Sequence, residues 1–381
     1  MTGPDERQQL TPPEDAPPST SSKPIRAART GLLTRRRLIV GSGIAALAVA
    51  GGTGTYASYQ KSAPPPNQAT TPPSPKSTQP SKAVEQRLRA GAMVGAPVDE
   101  KDVSRWKSDV DTLAENKQNL LRTGIYAWKV APEENRWDAA AASFYRDQIA
   151  YAQAAGLDIN LVVPGAPDWA QSYTFGKYAD ACTWFWKNMR ETFGDQVALW
   201  QPFNEADHAH YQRFTAANRS PAYLGQLAQL LALAKTTLGK DGVPVTTNLT
   251  GWPLNDEREQ EWYQVLDAIG EPLDVISLDL YPADNEKEIA RLTERVERVK
   301  RKYGKPVFVA ELGLQTTSDS WTEPEQQRYV SAAIAQLRTS ELWGICLYEL
   351  RDTESQPGFG IKRADGTPKQ GFADVMRALG P

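Results

Sequence analysis

Residues 197–207 read VALWQPFNEAD and residues 306–313 read PVFVAELG. Each is a short apolar run that ends on a carboxylate, Glu205 in the first and Glu311 in the second, 106 residues further along the chain. Runs of this length and composition read as strands. Strands whose chemistry sits at their carboxyl ends belong to parallel β/α architecture, where the loops at that end carry the site. Six further runs share the character: AGAMVGAPV from Ala90, LLRTGIYAW from Leu120, DINLVVPG from Asp158, VPVTTNLT from Val243, LDVISLDLY from Leu273 and WGICLYEL from Trp343. Helical patterns separate them over 143–155, 178–193, 221–238, 257–269, 286–303 and 324–338, with Gly156, Gly194, Gly270 and Gly304 placed to end helices in the left-handed conformation. Eight such alternations predict a closed (β/α)8 TIM barrel of the α/β class. An open doubly wound sheet would be expected to carry a Gly-rich phosphate loop after its first strand, and GAPVDEKD has no GxGxxG pattern.

Two carboxyls at the ends of two strands of one barrel can converge on one pocket. Glycoside hydrolysis with retention needs that pair: one carboxyl gives a proton to the leaving oxygen and the other attacks the sugar carbon. The Asn-Glu dipeptide is not itself the signal, because it recurs at Asn285-Glu286. There it follows Pro-Ala-Asp at an expected helix start, where an Asn cap and acidic first-turn residues satisfy free N–H groups and the helix dipole.

The chain has 381 residues, 40% hydrophobic and 23% charged, enough for a sizeable core, but the first 82 residues are of another kind. They hold ten Lys and Arg against four Asp and Glu, leaving 33 basic and 42 acidic groups in the remaining 299, a formal balance of −9. An acidic body argues against nucleic acid as a partner. Residues 1–33, rich in Pro, Ser and charge, are expected to be disordered. Over 34–60, Arg35, Arg36 and Arg37 precede a modest apolar run diluted by Gly41, Ser42 and Gly43, a pattern that resembles a twin-arginine export signal, with an uncleaved membrane anchor as the alternative. Seven basic residues before that run hold its start inside, so either reading sends the body out of the cytoplasm, secreted or anchored at a bacterial cell surface. Residues 61–82 carry seven prolines and read as an extended spacer. The catalytic body is then a single domain over 83–381, expected to be a monomer. Cys182 and Cys346 are expected as buried, unpaired thiols.

The succession LLRTGIYAW, GAPDWA, ALWQPFNEAD, LDLYP and VAELG resembles the clan A glycoside hydrolases, nearest in pattern to the family 39 and family 5 enzymes, over nearly the whole body. The resemblance implies Glu205 as general acid/base and Glu311 as nucleophile. It further implies Arg122 and Tyr281 as the cation and phenol that keep Glu311 ionised, and Asn204 as the ligand of the sugar 2-hydroxyl. Glu205 has to be protonated to act first, so its surroundings are expected to raise its pKa. The chain departs from the family where Ala206 replaces the usual Pro and where Tyr348 stands in place of a Trp platform.

Trp128, Trp169, Trp252 and Trp321 fall in expected loops after strands, where aromatic faces suit the C–H surfaces of sugars, and Trp169 matches the family's third loop. Trp106, Trp184, Trp186 and Trp262 are expected in helices, as core. Glu349 and Asp352 are expected to pair with Arg351 or neighbouring arginines. His208 and His210 are the only histidines. With Asp207 they are too few and too close in sequence for a barrel metal site, so His208 is expected to serve as a subsite hydrogen-bonding group. The reading is therefore an enzyme hydrolysing O-glycosyl bonds in a β-linked poly- or oligosaccharide, with no metal and no organic cofactor. Its rivals are a carbohydrate-binding barrel without turnover and a cell-wall transglycosylase that uses the same glutamates.

Overall fold

In the computed structural model the described residues are 88–207, 220–249, 256–281, 286–316 and 321–380. The tail, the export or anchor segment and the spacer lie outside them, as do His208, His210 and Trp252. Among the described residues no helix is long and apolar enough to cross a membrane.

Among the described residues seven parallel strands form one sheet: β1 Arg89–Met93, β2 Leu120–Gly124, β3 Asp158–Val163, β4 Leu199–Pro202, β5 Ile276–Leu280, β6 Val307–Leu312 and β7 Gly344–Leu347, in the order β4-β3-β2-β1-β7-β6-β5. The helices are α1 Glu100–Glu115, α2 Ala127–Val130, α3 Ala139–Ala154, α4 Phe175–Phe193, α5 Pro221–Thr237, α6 Asp256–Ile269, α7 Glu286–Ala290, α8 Leu292–Tyr303, α9 Glu323–Leu337 and α10 Phe372–Leu379. The run expected as one helix over 286–303 is thus two, parted at Arg291.

The expected fifth strand, VPVTTNLT, is not a strand of the sheet. Its residues make single bridges, Trp200 to Val245 on one side and Asn248 to Ser277 on the other, and so close the ring between β4 and β5. Backbone bonds from the N–H of Trp200 to the Pro244 carbonyl (3.0 Å) and from that of Thr246 to the Trp200 carbonyl (2.8 Å) hold it there. Pro244 has no N–H to give, and the Thr246 hydroxyl takes the Val275 carbonyl at 2.8 Å. Both interrupt a regular ladder.

β4, β5, β6 and β7 are buried along their whole length, as expected where helices cover the outside and other strands the inside. The larger apolar cluster lies between sheet and helices and takes Trp106, Trp186 and Trp262 as the sequence predicts. A smaller one, with Leu120, Leu199, Val275, Phe308, Ala310, Trp343 and Cys346, takes the alternate strand positions and fills the barrel interior. Gly91 lets β1 approach β2: a Cβ there would sit 1.7 Å from the Leu120 carbonyl oxygen. Of the four helix-ending glycines, Gly156 and Gly304 adopt left-handed φ values of 86° and 63°. Gly194 and Gly270 do not. Their N–H groups bond back to Arg190 and Leu266, and a side chain would strike those same carbonyls at 2.6 and 2.7 Å. Both cysteines are buried and free.

α6 and α8 are joined through a buried charge network. Arg295, fully buried, donates to Glu259 at 2.9 Å and to Glu288 at 3.0 Å, and Arg298 also reaches Glu259 at 3.0 Å. Removing one partner of such a network strands the other's charge. Arg295→Ala is therefore expected to cost about 3–5 kcal/mol of stability. A thermal melt followed by circular dichroism would read this as a fall of several degrees, and an unchanged midpoint would contradict it.

Candidate active site

The two strand-end glutamates reach one pocket by different local devices. After β4 the chain leaves the sheet through Phe203 (φ 69°) and Glu205 (φ 49°), two left-handed residues that are not glycine. Such positions cost energy and persist where the surroundings hold them. Here the Glu205 N–H donates to Asn248 Oδ1 at 3.0 Å, and the Tyr223 hydroxyl of α5 donates to the Ala206 carbonyl.

Glu311 depends on a bulge. On β6, Val307 and Val309 face the helices and Phe308 and Ala310 face the interior. Strict alternation would turn Glu311 outward, into the apolar layer. Instead β6 carries one residue more than both neighbours: Leu278 pairs with Val309 but Asp279 with Glu311, and Val309 pairs with Ile345 but Leu312 with Leu347. The extra residue re-aims Glu311 into the barrel mouth.

Once there, Glu311 is held from both sides. Arg122 Nη1 donates to its Oε1 at 2.9 Å and the Tyr281 hydroxyl donates to its Oε2. Arg122 is 1% exposed in its side chain and Glu311 5%. Burial works most strongly against the Arg122 charge, but Glu311, acting together with Cys346, Asp279 and Tyr281, offsets it and holds the guanidinium above its usual pKa. Arg122 Nε donates to Gln201 Oε1 (3.0 Å) and its Nη2 to Asn204 Oδ1 (2.6 Å). Burial, then the nearby Glu311 and Asp279 carboxyls, push the Tyr281 phenol well above its ordinary value, so it stays a donor.

Three residues of the site carry no weight in the sequence reading. Gln201, Asn248 and Asp279 are buried and polar, and they tie the two glutamates together. Gln201 Nε2 donates to Asn248 Oδ1 at 2.7 Å, and Asn248 Nδ2 lies 2.9 Å from Asn204 Oδ1, 2.7 Å from Asp279 Oδ2 and 3.4 Å from Glu311 Oε1. A signal existed: Asp279 and Tyr281 are two apart in LDVISLDLY, the spacing that puts both on one face of a strand.

Glu205, Asp279 and Glu311 each bring one carboxylate oxygen within 4.8 Å of the others. Distance alone would let the three hold a metal ion. Arg122 already supplies the positive charge at 2.9 Å from Glu311, and a divalent ion beside it would meet its repulsion, so the group is a carboxyl cluster around a guanidinium.

The other expected site residues divide. Asn204, Arg122, Tyr281, Glu205 and Glu311 come together. Tyr348 lies at the same end, edge-on to Tyr281 (6.3 Å) and Phe359 (5.5 Å), with a cis peptide bond to Glu349. Trp169 packs edge-on against Tyr173 and Trp184 and donates from Nε1 to the Ala131 carbonyl at 3.0 Å. Trp128 stands on α2, not in a loop, and is 46% exposed, while Trp321 packs on Tyr329 of α9. Arg351 pairs with Asp109 at 2.6 Å and Asp352 with Lys369 at 2.9 Å, so among the described residues neither acid of the YELRD run takes the partner expected of it. Glu349 is buried, with one carboxyl oxygen unbonded among the described residues. Burial first, then Asp352 and Glu311, push its pKa up to about 8.

Residues 175–343 match the family described as "Glycosyl hydrolase catalytic core". No curated protein matches the chain. Among solved structures, a beta-glycosidase from Pyrococcus horikoshii is similar with a TM-score of 0.61 at 13% identity, over 77% of this chain and 94% of that one. GH5_18 from Streptomyces cattleya, in complex with GlcNAc, gives 0.62 at 14%, over 77% and 80%. The exo-beta-1,4-mannosidase Op5Man5 from an Opitutaceae bacterium, strain TAV5, gives 0.61 at 15%, over 77% and 59%. At these identities the likeness is one of fold, that of barrel glycosidases.

Proposed function

We propose that this chain, a glycoside hydrolase of the clan A kind, cleaves a β-linked poly- or oligosaccharide by double displacement, with Glu311 as nucleophile and Glu205 as acid/base. The observation that carries the reading is the meeting of the two glutamates: oxygens from both lie within 4.8 Å, with Glu311 clamped by Arg122 and Tyr281. Direct attack on the sugar carbon needs carboxyls about 5–5.5 Å apart, whereas inversion needs room for a water and about 6.5–9.5 Å.

Each supporting residue has a part in that reaction. Arg122 and Tyr281 offset negative charge on Glu311, which keeps it a nucleophile, and their hydrogen bonds weaken as the charge passes to the sugar ester. Asn204 Oδ1 accepts from Arg122 and Asn248, so its amide N–H₂ is the end left to donate to the 2-hydroxyl, a contact that strengthens in the transition state. Tyr348 and Tyr281 offer the aromatic wall. His208, three residues after Glu205 in the chain, is proposed as a subsite residue, and Trp169 as a wall of the loop after β3. The apolar segment over 34–60 is proposed to export or tether the body, which would act outside the cytoplasm.

The test is stereochemical. Proton NMR of the first turnovers on a β-linked oligosaccharide or aryl β-glycoside is expected to show the β-anomer first, with the α-anomer growing in only by mutarotation. The α-anomer appearing first would exclude Glu311 as nucleophile.

A further inference from the structure

A third carboxyl sits beside the pair and has no part in the double displacement. Asp279 is 0% exposed and pairs across the sheet with Glu311 itself. Its Oδ2 accepts from Asn248 Nδ2 at 2.7 Å, and its Oδ1 has no hydrogen-bond partner among the described residues. The charged and titratable groups that face it are Arg122 from β2, Glu205 from the end of β4, Glu311 from β6, Cys346 from β7 and Tyr281 from its own strand. Only one of these is a cation, and the bonds of its guanidinium go to Glu311, Gln201 and Asn204. A buried carboxylate with one neutral donor and two carboxyls within 4.8 Å is poorly compensated, whereas a carboxylic acid in the same place needs no cation.

We propose that Asp279 is a positioning residue that works as an uncharged acid: its carboxyl holds the amide of Asn248, and that amide sets Asn204, the Glu205 backbone and the Glu311 carboxylate in their working places. Among the described residues Asn248 is the one side chain bonded to all of them, through Oδ1 to the Glu205 N–H and through Nδ2 toward Asn204, Asp279 and Glu311. Burial, then the neighbouring Glu311 and Glu205 carboxyls, drive the Asp279 carboxyl well above the usual range, with Arg122 and Asn248 pulling the other way. The proposal rests on the reading of Glu205 and Glu311 given above.

The test uses Asp279→Asn, which keeps the shape and an acceptor for Asn248 but cannot ionise, and Asp279→Ala, which removes the anchor. In the unfolded chain Asp279 titrates near about 3.9. A folded state that keeps the proton must take it up on folding at any pH above that, so stability falls as pH rises through the interval between unfolded and folded pKa. Asp279→Asn is free of this. The midpoint of thermal unfolding of Asp279→Asn minus that of the wild type is therefore expected to grow by several degrees between pH 4.5 and pH 8. On 4-nitrophenyl β-D-glucoside and β-D-mannoside, Asp279→Asn is expected to retain kcat, and Asp279→Ala to lose roughly 10- to 100-fold in kcat with a smaller change in KM. A midpoint difference that is flat or shrinks with pH, or a kcat that falls as far in Asp279→Asn as in Asp279→Ala, overturns the proposal. The thermal measurement needs no substrate. It decides on Asp279 even if the wild type turns over neither glycoside, a result that counts against the glycosidase reading alone.

Discussion

Glu311→Ala is expected to abolish turnover on every glycoside, natural or activated, by about 10⁴-fold or more, because no covalent intermediate can form without the carboxylate. The variant also leaves the buried Arg122 guanidinium without its charged partner, so lost activity has to be separated from lost structure. Glu311→Gln does that. Its amide oxygen can still accept from Arg122 and its shape still fills the space below Tyr281, so the fold is expected to hold by circular dichroism while turnover stays at background. Residual activity in Glu311→Gln above about 1% of the wild type, once deamidation is excluded, would remove Glu311 as nucleophile.

Glu205→Ala is expected to behave differently, and the difference identifies the acid. A natural glycoside has a poor leaving group and needs its proton, so kcat is expected to fall by roughly 10²- to 10⁴-fold. An activated aryl β-glycoside leaves without protonation. On it the first step survives and the second stalls, because the base that activates water is missing too. Rapid mixing is expected to show a burst of aryl alcohol followed by slow turnover. Azide, which attacks without base help, is expected to restore the second step and leave a β-glycosyl azide. A folded Glu205→Ala protein with neither burst nor azide rescue would show that another group carries the proton.

Both expectations begin from strand ends that are visible in the chain. The runs at 197–203 and 306–312 are apolar up to their carboxyl ends, and in a parallel β/α protein that polarity alone places Glu205 and Glu311 on one face of the barrel. Arg122 and Tyr281 were legible through the resemblance, on LLRTGIYAW and LDLYP. Helix positions followed from period and from end glycines, as at Gly156 and Gly304.

What the chain could not disclose was set by pairing between segments far apart in it. Alternation along β6 turns Glu311 outward, and only the register with β5 and β7, where β6 holds an extra residue, turns it in. The fifth alternation reads as a strand by composition, yet it is reduced to two bridges, with Pro244 lacking an N–H to give and the Thr246 hydroxyl donating to the Val275 carbonyl. Gln201, Asn248 and Asp279 look like ordinary polar residues in three separate runs. Their meaning lies in being brought within hydrogen-bond reach of one another, and burial at that meeting point pushes the Asp279 carboxyl above its usual range. By itself, then, the sequence determined the β/α alternation and the identity of the two strand-end glutamates, because period and polarity are local. The tertiary structure alone decided the aim of Glu311 and the amide hub beneath it, because register and desolvation exist only between strands.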